Sequence, residues 1–82
     1  MPSKDPAQRL QDILDNIEAI REFTRGMDLN AFLSNRQTTY AVTRALEIIS
    51  EASRRLPENL KARHPELDWP AIAAAPWLLL AL

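Results

Sequence analysis

One histidine, His64, decides much of the chemistry open to this chain. It stands between Arg63 and Pro65, so no multi-histidine metal site can form, and any general acid or base near neutral pH rests on a single loop residue. The simpler role for His64 is a solvated or locally hydrogen-bonded side chain. Glu47 and Glu51 are one helical turn apart, a spacing that could hold a divalent cation. Arg44, Arg54 and Arg55 surround them, which makes a solvated ion-pair face the better reading, and no metal is expected. Trp69 and Trp77 could stack on a base, but in a chain this poor in aromatics the more ordinary use is to close a small core. Arg36, Arg44, Arg54, Arg55 and Arg63 could meet phosphates, yet they are interleaved with acids rather than gathered into a stripe. One glycine rules out a phosphate-cradling loop, and the absence of cysteine rules out disulfides, thiolate metal sites and a cysteine nucleophile. No cofactor is expected.

The element that would position these residues runs from Ser34 to Leu56, the longest unbroken helical pattern in the chain. At about 100° per residue, Val42, Ala45, Leu46, Ile48, Ile49, Ala52 and Leu56 fall within an arc of about 160°. Opposite lie Tyr40, Arg44, Glu47, Glu51, Arg54 and Arg55, with opposite charges at i+3 and i+4. Ser34-Asn35-Arg36-Gln37 fits a capping box that starts the helix, and Pro57 stops it. Before it, Asp5-Pro6 reads as an N-cap and first helical residue. Leu10, Ile13, Leu14, Ile17 and Ile20 then make an apolar stripe for a first helix ending near Arg25, where Gly26 suits a left-handed C′ position. Asp28 to Leu33 predicts a short helical turn, and a linker this short implies an antiparallel hairpin.

Beyond Pro57, Glu58 to Arg63 predicts a turn or two of helix, and His64-Pro65 a loop. Asp68 should cap a last helix that Pro76 breaks after about two turns. The apolar end, Trp77 to Leu82, is far shorter than the ~20 residues of a membrane span. It is expected to dock on the hairpin's uncovered apolar face. No strand pattern is present. The fold class is therefore all-α: an antiparallel helical hairpin extended to a small up-down bundle, in one domain spanning residues 1–82. A chain of 82 residues buries only about 60% of its unfolded surface. With so wide an arc on the central helix, a homodimer is expected. The formal net charge of -1 gives no global attraction for nucleic acid. The N-terminus, MPSKDPAQRLQD, lacks the apolar stretch of a signal peptide, so a cytoplasmic location is expected.

Tyr40 to Ala52, YAVTRALEIISEA, and His64 to Trp69, HPELDW, together with LQDILDNIEAIREFTRGMD from Leu10, resemble the HepT-like family of the HEPN superfamily, over about Arg9 to Ala73. The resemblance implies an all-helical dimer acting as a ribonuclease toxin, neutralised by a minimal nucleotidyltransferase antitoxin, with RNA as its substrate. It also implies that Tyr40, Arg44 and Glu51 line a cleft at the dimer seam, and that the position of Ser50, usually glycine, permits close helix packing.

The chain departs from the family after Trp69-Pro70-Ala71-Ile72-Ala73. There the family carries R-N-x-x-x-H-x-Y, whose Arg and His act on the phosphodiester and whose Tyr receives AMP from the antitoxin. The Arg-Asn pair falls on Pro76-Trp77, the His on Ala81 and the Tyr beyond Leu82. Catalytic residues are accordingly none, and residues 76–82 read as an atypical end of an incomplete domain, as a shifted reading frame or an altered 3′ end would produce. The expectation is a HepT-like component inactive as it stands. The alternatives are a non-catalytic helical dimer serving as a protein-interaction partner of a nucleotidyltransferase, and a remnant without a partner.

Overall fold

The computed structural model describes the backbone of residues 5–80 and the side chains of residues 5–76. Five helices follow in order: α1 (Pro6–Phe23), α2 (Leu29–Ser34), α3 (Arg36–Arg54), α4 (Glu58–Ala62) and α5 (Trp69–Leu80). Among the described residues there is no strand.

Short polar side chains set the helix starts. Asp5 accepts from the Ala7 amide at 3.0 Å, Asp28 from Ala31 at 2.8 Å and Asp68 from Ala71 at 3.0 Å, each satisfying an amide that the first turn leaves without a partner. The central helix begins one residue later than the capping box implies. Asn35, not Ser34, accepts from Thr38 at 3.0 Å, because Ser34 closes α2 and donates its hydroxyl back to the Asn30 carbonyl at 2.8 Å. α3 ends at Arg54, with Arg55 as its C-cap. Gly26 does adopt a positive φ of 75°. It lies two residues past the C-cap Thr24, in a turn closed by the Met27 amide on the Thr24 carbonyl at 3.0 Å. Nothing lies within 4 Å of where a Cβ would stand, so conformation rather than space selects glycine.

α3 is the centre on which α1 and α5 both pack. The Arg9 guanidinium near the start of α1 donates to the Arg55 carbonyl at the end of α3, so the two run antiparallel. Among the described residues the helix-hairpin core consists of the buried side chains Val42, Ala45, Ile49, Ala52 and Leu56, all from the predicted arc. Leu46 and Ile48, at its edges, are half-buried. Ser50 and Ser53 are buried more deeply than any of these, at 1% and 2% exposure. At about 100° per residue Ser53 falls inside the apolar arc and Ser50 at its margin, so small polar residues sit where another helix comes close.

α5 contradicts the expectation that Pro76 ends the last helix: it continues through Pro76 to Leu80. Proline withdraws the amide that the Ile72 carbonyl would accept from, and its ring crowds that carbonyl. Here the helix is held from outside at the same turn. Ser50 Oγ donates to the Ala73 carbonyl at 2.7 Å, Arg54 Nη1 reaches the same oxygen at 3.3 Å, and Pro76 itself is buried. Tertiary hydrogen bonds thus stabilise a turn that local propensity disfavours. The helix is consequently not the shortened one that would leave the hairpin's apolar face bare. The expected docking of the Trp77–Leu82 side chains and the loose end Met1–Lys4 lie outside the described residues. No described helix is long and apolar enough to cross a membrane.

Candidate functional site

The polar face of α3 and the proline turn of α5 enclose a groove of about 460 Å³, lined by Thr43, Arg44, Glu47, Ser50, Glu51, Arg54 and Pro76. Residues 43, 47, 50, 51 and 54 recur at i+3 and i+4, so one stripe of α3 forms the floor. Its charges are locally matched. Arg44 Nη1 lies 3.4 Å from Glu47, Arg54 Nη2 2.9 Å from Glu51, and Arg55 Nε 2.6 Å from the other oxygen of Glu51. Hydrogen bonds from Arg54 first, then Arg55, hold the Glu51 carboxyl below its usual carboxylate value. Glu47 and Glu51 are therefore engaged by guanidinium groups, the ion-pair face expected over a cation site. Among the described residues, no group of three or more His, Asp or Glu could hold a metal ion.

Two of the three expected cleft residues, Arg44 and Glu51, line this groove together, and Tyr40 does not. Tyr40 stands a turn earlier on α3, 64% exposed, with the Arg36 guanidinium 5.6 Å from its ring centroid. His64 lies in the α4–α5 connection, its Nδ1 3.0 Å from a Glu66 carboxylate oxygen, and contributes nothing to the groove. Glu66 is held below its usual value by its own backbone amide and then by His64.

Sequence reasoning missed how Ser50 and Arg54 act together. Arg54 Nη1 donates to Ser50 Oγ at 2.7 Å while both reach the Ala73 carbonyl, so the two hold α5 against the groove. Their i,i+4 spacing on the α3 face turned toward a proline-containing helix was the available signal. Chemically, two guanidinium groups in an open groove can hold a phosphate. Among the described lining residues there is no imidazole, and Pro76 stands in the wall.

A small all-helical protein with a charged groove along the seam of two packed helices is the class these features define. Residues 13–75 match the Ribonuclease HepT-like family, and the chain belongs to it. A relative named "Probable ribonuclease HepT", from Thermococcus cleftensis, is 48% identical over 64 residues, covering 78% of this chain and 58% of the relative. Two relatives from Methanocaldococcus jannaschii, both named as candidate RNases, are each 41% identical. The first shares 73 residues, 89% of this chain and 60% of its own length; the second shares 69, or 84% and 63%. The chain thus spans about three fifths of the length of these curated relatives. No solved structure matches it.

Proposed function

We propose that this chain is the HepT-like component of a toxin–antitoxin pair, a ribonuclease toxin by kinship, whose 82 residues retain the RNA-facing groove but not the groups that cleave RNA. The observation that carries this reading is the place of Pro76. At the position where the resemblance calls for the first Arg of R-N-x-x-x-H-x-Y, a proline lines the groove beside Arg44, Glu51 and Arg54. Phosphodiester cleavage of this kind needs a proton acceptor and donor near neutral pH and a cation on the phosphate. The guanidinium groups supply the last of these alone. Tyr40, Arg44 and Glu51 are the proposed cleft-lining residues, with Tyr40 at its rim.

The protein works as a cytoplasmic homodimer in this reading, with a minimal nucleotidyltransferase as its antitoxin. Support for self-association comes from α1, none of whose residues is buried, while Leu14 stands 60% exposed between Leu10 and Ile17. Patches of this kind mark interaction surfaces. The same stripe favours the second reading, a non-catalytic dimer that docks a nucleotidyltransferase.

Incubation of labelled RNA with the purified chain, beside the Thermococcus relative, tests the proposal. RNA bound without cleavage is the expected result, and cleavage at a rate comparable to the relative would overturn it. Co-expression with a neighbouring nucleotidyltransferase should yield a co-purifying complex.

A further inference from the structure

A second cavity, of about 330 Å³, opens along the same α3–α5 seam. Trp69, Pro70 and Ala73 of α5 wall it, together with Ser53 and Arg54 of α3 and the paired Glu58 and Lys61 of α4. Trp69, Ala73 and Pro76 recur at i, i+4 and i+7, so a single face of α5 lines this slot and the groove in turn. Arg54 belongs to the lining of both. Seven residues separate Trp69 from Pro76, about 10 Å along a helix.

The two ends of this seam differ in chemistry. The groove is charged, with Arg44 and Arg54 facing Glu47 and Glu51. The slot is mostly apolar, and the indole that lines it is tethered, because Trp69 Nε1 donates to the carbonyls of Lys61 and His64, both at 3.2 Å. Trp69 thus lines the slot with its ring edge tethered to those two carbonyls. Lys61 adds a cation at the slot, 3.2 Å from Glu58, its side chain 14% exposed. An aromatic wall beside cations is the arrangement with which proteins hold unpaired bases, since every base has a π-face and its backbone a phosphate.

We propose that the slot takes one unpaired nucleobase of a single-stranded RNA, stacked on Trp69, with the adjoining phosphate on Arg54 and the strand running on into the groove at Arg44. The proposal rests on the RNA-facing reading above and adds to it a subsite and a strand path. Trp69 becomes a binding residue remote from the position at which the family's chemistry is expected. Recognition is tolerant of sequence and selective for unpaired strands, because a base still stacked in a duplex cannot enter the slot.

Fluorescence anisotropy with the full chain tests it, using a short labelled oligouridylate and an abasic ribose-phosphate oligomer of equal length. The oligouridylate should bind about tenfold more tightly than the abasic chain, and Trp69→Leu should erase that difference. Ala73→Leu, which fills the slot and leaves the indole in place, should weaken the oligouridylate alike. In a Trp77→Phe background the remaining Trp69 emission should be quenched as RNA is added. Equal binding of the two oligomers, unchanged by Ala73→Leu in a chain of normal helicity, would overturn the base slot while leaving the groove's RNA reading intact. No binding of either oligomer, even at low salt, would overturn both.

Discussion

The two helices that flank α3 are held to it in different ways. α1 brings eighteen residues with a regular apolar stripe, yet none of them is fully covered, and Leu14 stands 60% exposed. Its attachment is apolar contact along Ile13 and Ile20, both half-buried, with Arg9 reaching the Arg55 carbonyl. α5 brings twelve residues, two of them prolines, but Ser50 and Arg54 grip the Ala73 carbonyl in its middle. Apolar contact is non-directional and tolerates small shifts. Hydrogen bonds to one carbonyl fix a helix at one place. The bundle therefore has one flank, α5, gripped at mid-helix beside the groove, and another, α1, tied near its start with Leu14 left exposed.

The largest change should follow from substitutions that remove the shared centre. Ile49→Ala should cost about 2–5 kcal/mol by chemical denaturation, loosening both flanking helices at once. Ser50→Ala should cost about 1–2 kcal/mol, since it removes one of two donors to a carbonyl beside the proline turn. Hydrogen exchange should accelerate in α5 while α1 is unchanged; equal acceleration in both would erase the contrast. Asp68→Ala removes the cap of α5 and should cost about 1 kcal/mol. Leu14→Gln, on the opposite side, should change the stability of a single copy by no more than about 0.5 kcal/mol. Its effect should appear in light scattering, as loss of the proposed dimer at micromolar concentration. The smallest effect is electrostatic. Because Glu51 has a lowered folded-state pKa, its ion pairs contribute stability above the ordinary carboxylate pKa, and that contribution is lost as pH falls through the lowered value. Glu51→Gln should abolish this acid-side slope, and high salt should flatten it.

Much of this contrast is readable in the residues. The α3 arc is a strong periodic signal, and its five buried apolar side chains are those the period selects. Asp5 and Asp68 mark helix starts because a short acceptor before a helical run has few other uses. Two features resisted. Ser34 and Asn35 are adjacent cap candidates, and α2, which needs Ser34 for its own last turn, decides between them. Pro76 reads as a helix stop in any local account, and what overrides it comes from Ser50 and Arg54, more than twenty positions earlier in the chain. The groove was half legible: Arg44 and Glu51 follow from the polar stripe, while Pro76 joins them only through the packing of α5.

The proposed function has an RNA-facing groove whose chemistry is lost at one helical turn, that of Pro76. The direct test replaces the chain from Pro76 onward with a segment reading R-N-x-x-x-H-x-Y, and compares RNA cleavage by the graft and the parent. The parent should bind RNA without cutting it, and the graft, folded and self-associating, should cleave. Cleavage by the parent, or a well-folded graft that binds RNA and remains inert, would contradict the proposed function.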